Sequence, residues 1–177
     1  VDIRGPAVTW DGTRVGFSAR TSEGRGFRLY EVNVDGTGCA AVSGLPPTED
    51  VVSGIRIHDF DPAYAADGRL VFASTRGYLT AEAVGVAGPT RTTAQLAPNS
   101  NLYVLESSGL RQLTFLLNQE FQPSFMTDGR LIMTAEKRET DFHQFATRRE
   151  NLDGGDYHPL FGQRTSVGFD SVTEVVE

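Results

Sequence analysis

Short apolar runs separated by Asp-Gly pairs recur along the chain. Each copy begins at a proline, reaches Asp-Gly five positions later, continues as an apolar strand and ends in a basic residue. Because Gly adopts positive φ at little cost and Asp accepts hydrogen bonds from nearby backbone N–H groups, each pair predicts a tight hairpin turn. The repetition predicts similar sheet units that stack on one another. The three copies contain Pro6, Asp11, Gly12 and Arg20, then Pro62, Asp67, Gly68 and Arg76, and finally Pro123, Asp128, Gly129 and Lys137.

Each hairpin is followed by segments that predict two more strands. In the first unit, Phe27 and Leu29 alternate with polar neighbours, which is typical of a half-buried strand. The other predicted third strands are 101–105 and 143–147, and the fourth strands are 39–42, 110–115 and 157–161. The chain is therefore divided into a first unit (about 1–43), a linker (44–57), a second unit (about 58–117), a third unit (about 118–163) and the start of a fourth (164–177).

Two segments depart from the strand pattern. The linker contains Pro46, Pro47 and Gly54, a composition that predicts no regular structure. Residues 77–100 form a Thr-, Ala- and Gly-rich insertion within the second unit. Loops of this length are uncommon unless they are functional or poorly ordered. The insertion is interpreted first as a flexible excursion and second as a binding loop.

Composition narrows the class of protein. With 39% hydrophobic and 10% aromatic residues, the chain has the composition of a soluble globular domain. The net charge of -7 argues against nucleic acid as a partner, because phosphate binding depends on concentrated Lys and Arg. No apolar run reaches the roughly eighteen residues that would predict a membrane span. Cys39 is the sole cysteine, which excludes an internal disulfide and a Cys-based metal cage.

The repeated motifs resemble those of the TolB-like and PD40 β-propeller repeats, which are WD40-like. The second unit carries the likeness best, through Pro62, Asp67-Gly68, Phe72-Ala-Ser-Thr-Arg76, Leu102-Tyr103 and Leu113-Thr114. The third unit departs from the pattern, since Met133 to Lys137 replaces Phe-x-Ser-x-Arg and 143–149 replaces the Leu-Tyr strand.

A weaker resemblance is to the propeller domain of the hydrazine synthase alpha-subunit family. It rests on Phe60-Asp-Pro, Asn101-Leu-Tyr-Val and the segment Gln119 to Phe125. The sequence contains no Cys-x-x-Cys-His haem attachment motif, so the haem chemistry of that family is not assigned to these residues. We expect no cofactor.

The resemblance implies an all-β fold, a β-propeller made of four-stranded antiparallel blades. About three blades are present, and we expect them to belong to a larger ring of six to eight blades within a longer polypeptide. Arg20, Arg76 and Lys137 follow the second strands, where each basic group is expected to pair with an acid. Our hypothesis is that Asp59 and Glu120, each three residues before a proline, are such partners.

Candidate chemistry is sparse. The sequence contains no nucleophile elbow, phosphate-binding loop or zinc-protease motif, so we expect no catalytic residues within this chain. His58, Asp59 and Asp61 are candidate ligands of a divalent metal, but strand alternation would place His58 on the opposite face from the two acids. The favoured interpretation is that they are hydrogen-bonded residues at the entry to a blade. His143 with Asp141, and His158 with Asp156, are interpreted as polar groups of loops and strand ends. The segment Asp153 to Asp156 is interpreted as a tight turn. The aromatic residues on predicted strands are interpreted as core between the blades, namely Trp10, Tyr30, Tyr64, Tyr103, Phe121 and Phe125.

Two hypotheses of function remain open. The first is a non-catalytic protein-binding or scaffolding module of a bacterial envelope or exported protein, with a periplasmic or exported location implied by the TolB-like resemblance. Its partners would be another protein or the remaining blades of the same propeller. The alternative is the propeller domain of a larger enzyme, a serine peptidase or a multihaem oxidoreductase, whose catalytic residues lie outside this chain.

The repeat count generates a prediction about size. Because three blades cannot close a ring, we expect isolated residues 1–177 to associate or to expose apolar faces. Analytical ultracentrifugation over a range of concentrations measures this, and a stable, monodisperse monomer would contradict it.

Overall fold

The computed structural model describes residues 1–52, 54–77, 99–116, 118–139, 142–161 and 171–177, without the side chains of 138, 139, 142 and 143. The fourteen elements defined in this part of the chain are all strands. They are β1 (Asp2–Val8), β2 (Arg14–Arg20), β3 (Arg28–Asn33), β4 (Ala40–Ala41), β5 (Val51–Val52), β6 (Ile55–Arg56), β7 (Asp59–Tyr64), β8 (Leu70–Ser74), β9 (Asn101–Glu106), β10 (Gly109–Gln112), β11 (Glu120–Phe125), β12 (Leu131–Glu139), β13 (Phe142–Glu150) and β14 (His158–Phe161).

Twelve of these strands form three antiparallel sheets of four strands each. Their orders are β1-β2-β3-β4, β7-β8-β9-β10 and β11-β12-β13-β14, so every sheet is a simple meander. Among the first strands of the sheets, β1 and β11 each pack against β7. The three sheets therefore radiate from a common line of inner strands. The expected all-β fold of four-stranded antiparallel units is confirmed.

The Asp-Gly pairs make the predicted turns between the first and second strands. Gly12 donates its N–H to Thr9 at 2.8 Å, and the equivalent bonds of the second and third sheets are both 2.9 Å. In each turn the Asp carboxylate also accepts the N–H two residues ahead, as Asp67 does from Arg69 at 3.1 Å. These bonds fix the end of each hairpin and hence its register.

The repeated prolines lie within the inner strands, whereas the sequence pattern predicted them at the strand starts. Pro6, Pro62 and Pro123 each sit at a shift in the pairing register, between Arg4 and Ala7, Phe60 and Ala63, and Phe121 and Ser124. The missing N–H is tolerated because the inner strand is the edge of its sheet and the bulge interrupts the ladder at that point.

One backbone hydrogen bond joins each sheet to the next. Asp59 N–H donates to the carbonyl of Phe27 at 2.9 Å, and Glu120 N–H donates to the carbonyl of Ser100 at 2.9 Å. The acceptor lies at the entry to the third strand of the preceding sheet in both cases. Val172 N–H donates to the carbonyl of Phe145 in the same way, at 3.0 Å. Residues 171–177 thus occupy the place that an inner strand occupies against the third sheet.

The core lies between the sheets. One cluster, which includes Leu29, Tyr64 and Phe72, fills the space between the first and second sheets. A second cluster, which includes Val104 and Met133, fills the space between the second and third. In the second sheet, alternate side chains of the middle strands β8 and β9 contribute to opposite clusters, because a sheet covered on both sides needs apolar groups on both faces.

The linker 44–57 is more ordered than its composition predicted. Residues 51–52 and 55–56 pair as a short hairpin. Arg28 holds this segment against the first sheet, since its guanidinium donates to the carbonyls of Ile57 at 2.7 Å and Glu49 at 3.1 Å. Composition failed here because the stabilising donor comes from a distant strand.

The basic residues after the second strands find different partners. Arg76 pairs with Asp59, as hypothesised, with Nε 2.7 Å from Oδ1 and a second nitrogen 2.8 Å from Oδ2. Both side chains are almost fully buried. Arg20 instead bonds Asp2 at the surface, at 2.7 Å. Glu120 accepts hydrogen bonds from the neutral side chains of Asn101 and Tyr157.

The buried pair generates a stability prediction. Arg76→Met leaves the carboxylate of Asp59 buried without its cation, so we expect the free energy of unfolding to fall by about 3–5 kcal/mol. Arg130→Met is the matched control, because Arg130 bonds Asp128 at an exposed turn, where such pairs contribute about 0–1 kcal/mol. Urea unfolding measures both, and equal effects of the two variants would contradict the prediction.

Candidate functional site: the channel between the inner strands

A repeated backbone conformation lines the space enclosed by the inner strands. Gly5, Asp61 and Gln122 directly precede the three prolines, and each has a positive φ, of 59°, 50° and 50°. Glu174 has a φ of 55° and stands at the matching place in residues 171–177. Left-handed conformations of non-Gly residues are uncommon and cluster at functional or tightly constrained sites. Together with Arg4, these four residues form the polar belt of the channel.

The polar belt joins neighbouring sheets through side chains. Arg4 donates to Asp61 from Nε at 3.0 Å and from a terminal nitrogen at 3.2 Å. Asp61 Oδ2 also accepts the backbone N–H of Gln122 at 3.3 Å. Gln122 Oε1 then accepts the backbone N–H of Glu174 at 3.1 Å. The belt therefore runs from the first sheet to the fourth inner strand without a break.

Close packing explains why Gly5 is in the belt. A Cβ at this position would stand 3.0 Å from Asp61 Oδ1 and 3.1 Å from Asp61 Cα. Any larger residue would also adopt its positive φ at a steric cost. Gly5 thus permits the close approach of β1 to β7 that the Arg4–Asp61 pair requires.

Burial and charge oppose each other at Asp61. Burial raises the pKa of its carboxyl group, while the charge and hydrogen bonds of Arg4 lower it. The Arg4 guanidinium also lies 5.0 Å from the ring centre of Phe60, within reach of a cation–π contact. Its side chain remains 45% exposed, so the polar belt presents a partly accessible cation beside a buried anion. The cavity at the belt measures about 540 Å³.

Towards the Asp-Gly rim, the channel becomes apolar. This section measures about 340 Å³ and is lined in part by Val8, Trp10, Phe125 and Val176. The prediction that Trp10 belongs to an inter-blade core is wrong, because its side chain is 54% exposed and lies in the turn after β1. Its indole N–H donates to the carbonyl of Tyr64 at 2.6 Å, which holds the ring at the channel wall. The channel thus combines a polar belt with an apolar end.

The candidate metal ligands point to three different partners. His58 Nδ1 accepts the backbone N–H of Phe27 at 3.1 Å. Asp59 pairs with Arg76, and Asp61 pairs with Arg4. Across the described ranges, no group of three His, Cys, Asp or Glu side chains is arranged to hold a metal ion. The geometry assigns these residues to blade contacts.

The other candidates are surface groups where the structure describes them. His158 lies beside Asp156, with Nε2 3.1 Å from the carboxylate. Gly155 N–H donates to Asp153 at 2.8 Å in a tight turn. The side chain of His143, all of Asp141 and the insertion from residue 78 to 98 lie outside the described residues. Within the described part, no helix is both long enough and apolar enough to cross a bilayer.

Sequence reasoning missed the polar belt as a set. The sequence pattern indicated Asp61 as a candidate metal ligand or as a hydrogen-bonded residue at a blade entry, and it did not indicate Arg4, Gln122 or Glu174. The available signal was the residue before each proline, which shares one place in every repeat. Glu174 lacks that signal because Val175 follows it.

Comparisons with solved structures agree with this geometry. The chain is similar to Kuenenia stuttgartiensis hydrazine synthase, with a TM-score of 0.69 and 16% identity over 95% of this chain and 26% of that one. It is also similar to a putative TolB from Agrobacterium tumefaciens, with a TM-score of 0.58 and 13% identity over 91% and 50% of the two chains. The three sheets are blades of a β-propeller. A structure of puromycin hydrolase matches with a TM-score of 0.58 and 16% identity over 91% of this chain and 22% of that one.

These likenesses confirm the expected resemblance at the level of the fold. The chain spans half or less of each matched structure. No family model matches the chain, and no curated protein matches it. What the blades do must therefore be argued from their own residues.

The setting of His58 generates a pH prediction. Burial, followed by the charges of Arg56 and Arg28, lowers the pKa of His58 to about 4 from 6.5. A lowered pKa means that the unfolded chain takes up the proton first, so stability is complete above pH 6.5 and is lost as the pH falls towards 4. We expect this loss to be about 1–2 kcal/mol, allowing for the partial exposure of the ring.

The test is urea unfolding between pH 7 and pH 4. His58→Gln should flatten the acid-side decline, while the same substitution at the exposed His158 should leave its slope unchanged. Identical slopes in wild type and His58→Gln would show that His58 does not contribute.

Proposed function

We propose that this chain is part of a non-catalytic β-propeller module that binds a protein partner at its channel. The observation that carries the proposal is the polar belt, in which left-handed residues of successive inner strands bring Arg4, Asp61, Gln122 and Glu174 to one place. Rigid scaffolds that present polar groups beside an apolar surface suit protein recognition, since the apolar area supplies affinity and the polar groups fix orientation.

The points at which the insertion joins the second blade support the same end of the channel as the binding site. Antiparallel pairing places Asp59 opposite Ser74 and Asp2 opposite Arg20, at the end of each sheet away from the Asp-Gly turns. The insertion leaves the second blade just after Ser74 and returns at Asn101. It therefore joins the blade at the end where Arg4 lies. Binding residues are concentrated on loops that a rigid scaffold holds in place.

The proposed setting is the bacterial envelope or another exported location. The support is the fold shared with a structure described as a putative TolB and with TolB from Acinetobacter baumannii. A single exposed cysteine, Cys39, is compatible with an oxidising compartment.

A second candidate is the propeller domain of a larger enzyme. The observation that favours it is the high coverage of this chain by hydrazine synthase and by puromycin hydrolase, each matched over about a quarter of its own length. Under this candidate the blades would position or gate a catalytic domain. The reacting groups would lie outside residues 1–177.

Site-specific photo-crosslinking tests the binding proposal. A photoreactive benzoylphenylalanine replaces Val8 in the channel of the full-length protein, and the control carries it at Thr37, an exposed residue of the Asp35-Gly36 turn. In an extract of the source organism, we expect a discrete protein adduct from position 8 and none from position 37. Arg4→Met should reduce the adduct yield several-fold, because it removes the accessible cation of the polar belt.

The same full-length protein separates the two candidates. Labelling by a fluorophosphonate would reveal a nucleophilic serine, and a Soret absorption band would reveal haem. A channel adduct without either signal supports the module, whereas either signal supports the enzyme. Adducts of equal yield from positions 8 and 37 would overturn the channel as the binding site.

A further inference from the structure

The contact between the second and third blades contains charged side chains at two positions where the other blades have apolar or aromatic ones. In the second blade, Leu105 pairs with Leu70, and in the first blade Val32 pairs with Val15. The equivalent pair in the third blade is Glu150 with Leu131. Glu150 is 3% exposed. A carboxyl group therefore occupies a position that is apolar in the other two blades.

At the pair two residues further along these strands, a charged residue replaces an aromatic one. Phe72 and Tyr103 stack at 6.1 Å in the second blade, as Phe17 and Tyr30 do at 5.9 Å in the first. The third blade has Met133 paired with Arg148 instead. The departure from the repeat pattern in the third unit thus adds charged groups to a contact whose core is apolar.

Two buried carboxyl groups share this interface but differ in their hydrogen bonds. Glu120 is fully buried and accepts from Asn101 at 3.1 Å, from Tyr157 at 2.8 Å and from Thr114. Burial raises the pKa of Glu120, and these three donors oppose that rise because they stabilise its carboxylate. Glu150 Oε2 is buried and has no hydrogen-bond partner among the described residues. The proton is therefore better placed on Glu150 than on Glu120.

We propose that the contact between the second and third blades is a proton-dependent joint, in which Glu150 is held as a neutral acid beside Glu120 and its ionisation loosens the contact. An ionised carboxylate with a buried, unpartnered oxygen must regain water or lose stability. A groove of about 680 Å³, which Arg111 and Asp153 help to line, extends to Asn151, the residue that follows Glu150.

The charges around Glu150 set the direction of the effect. Burial, followed by the charge of Glu120 and with a smaller contribution from Asp153, raises the pKa of Glu150 to about 8, while the charge of Arg111 opposes the rise. Arg148 lies on the same strand, with its guanidinium 5.6 Å from the ring of Tyr157. Burial and the charges of Glu120 and Glu150 also raise the pKa of the Tyr157 hydroxyl.

The sign follows from the raised pKa. The folded protein keeps a proton that the unfolded chain releases, so the contribution of Glu150 to stability is complete below pH 4.5 and is lost as the pH rises towards about 8. This slope is opposite to that of His58. Most of the interval from pH 6.5 to 8.5 lies above the range in which the contribution of His58 changes.

Thermal unfolding of the full-length protein tests the joint. We expect the wild-type Tm to fall by about 3–6 °C between pH 6.5 and 8.5. Glu150→Gln, which mimics the neutral acid, should remove most of that fall. Asp35→Asn is the control, because Asp35 lies in an exposed turn of the first blade, away from the joint, and its lowered pKa keeps it ionised throughout the interval.

A second variant keeps the test decisive if Glu150→Gln does not fold. Glu150→Leu installs the residue type found at Leu105, and we expect a higher Tm without the alkaline decline. Carbon-13 NMR of the wild-type carboxyl groups should show the Glu150 signal titrating above pH 6.5. At pH 8.5, amide exchange in β10 and β14 should be faster in wild type than in Glu150→Gln. Ordinary titration of Glu150 near pH 4.5, or an unchanged decline in both variants, would overturn the proposal.

Discussion

One constraint recurs at every inner strand. Its backbone must form hydrogen bonds both with the second strand of its own sheet and with the preceding sheet. Asp59, Glu120 and Val172 each donate sideways, at 2.9, 2.9 and 3.0 Å. The bulge that follows turns the strand and leaves the proline where no donor is needed. The angle between successive blades is thereby set by backbone bonds that do not depend on side-chain identity. This allows the blade contacts to vary in chemistry while the blade positions stay regular.

The contacts between neighbouring blades differ in their chemistry. The contact between the first and second blades is mainly apolar, with Tyr64 and Phe72 buried in it. The second blade also buries the Arg76–Asp59 pair near the entry of its inner strand. The contact between the second and third blades adds Glu120, Glu150 and Arg148. Buried ion pairs and acids contribute less to net stability than hydrocarbon does, so their presence suggests roles in specificity or response.

Local patterns predicted the hairpins and the sheet order, because the Asp-Gly turns and the alternation of strands are determined by neighbours in sequence. The place of the prolines within strands was not predicted, since a bulge depends on pairing with β2, β8 or β12. The predicted third strand of the third unit ended at residue 147, so Glu150 lay beyond it, and its burial depends on the neighbouring sheet that covers β13. The polar belt was missed for the same reason. Its members are about fifty or sixty positions apart, and nothing in the local pattern shows that they meet.

The meander places all Asp-Gly turns on one rim and all connections between second and third strands on the other. Those connections range from the two residues between β12 and β13 to the long segment after Ser74. Length can therefore change at one rim without altering the tight turns that fix the other. The rim with the Asp-Gly turns is therefore constrained in length, whereas the opposite rim can accept insertions. New loops can be tried beside the polar end of the channel while the hairpins that define each blade remain untouched.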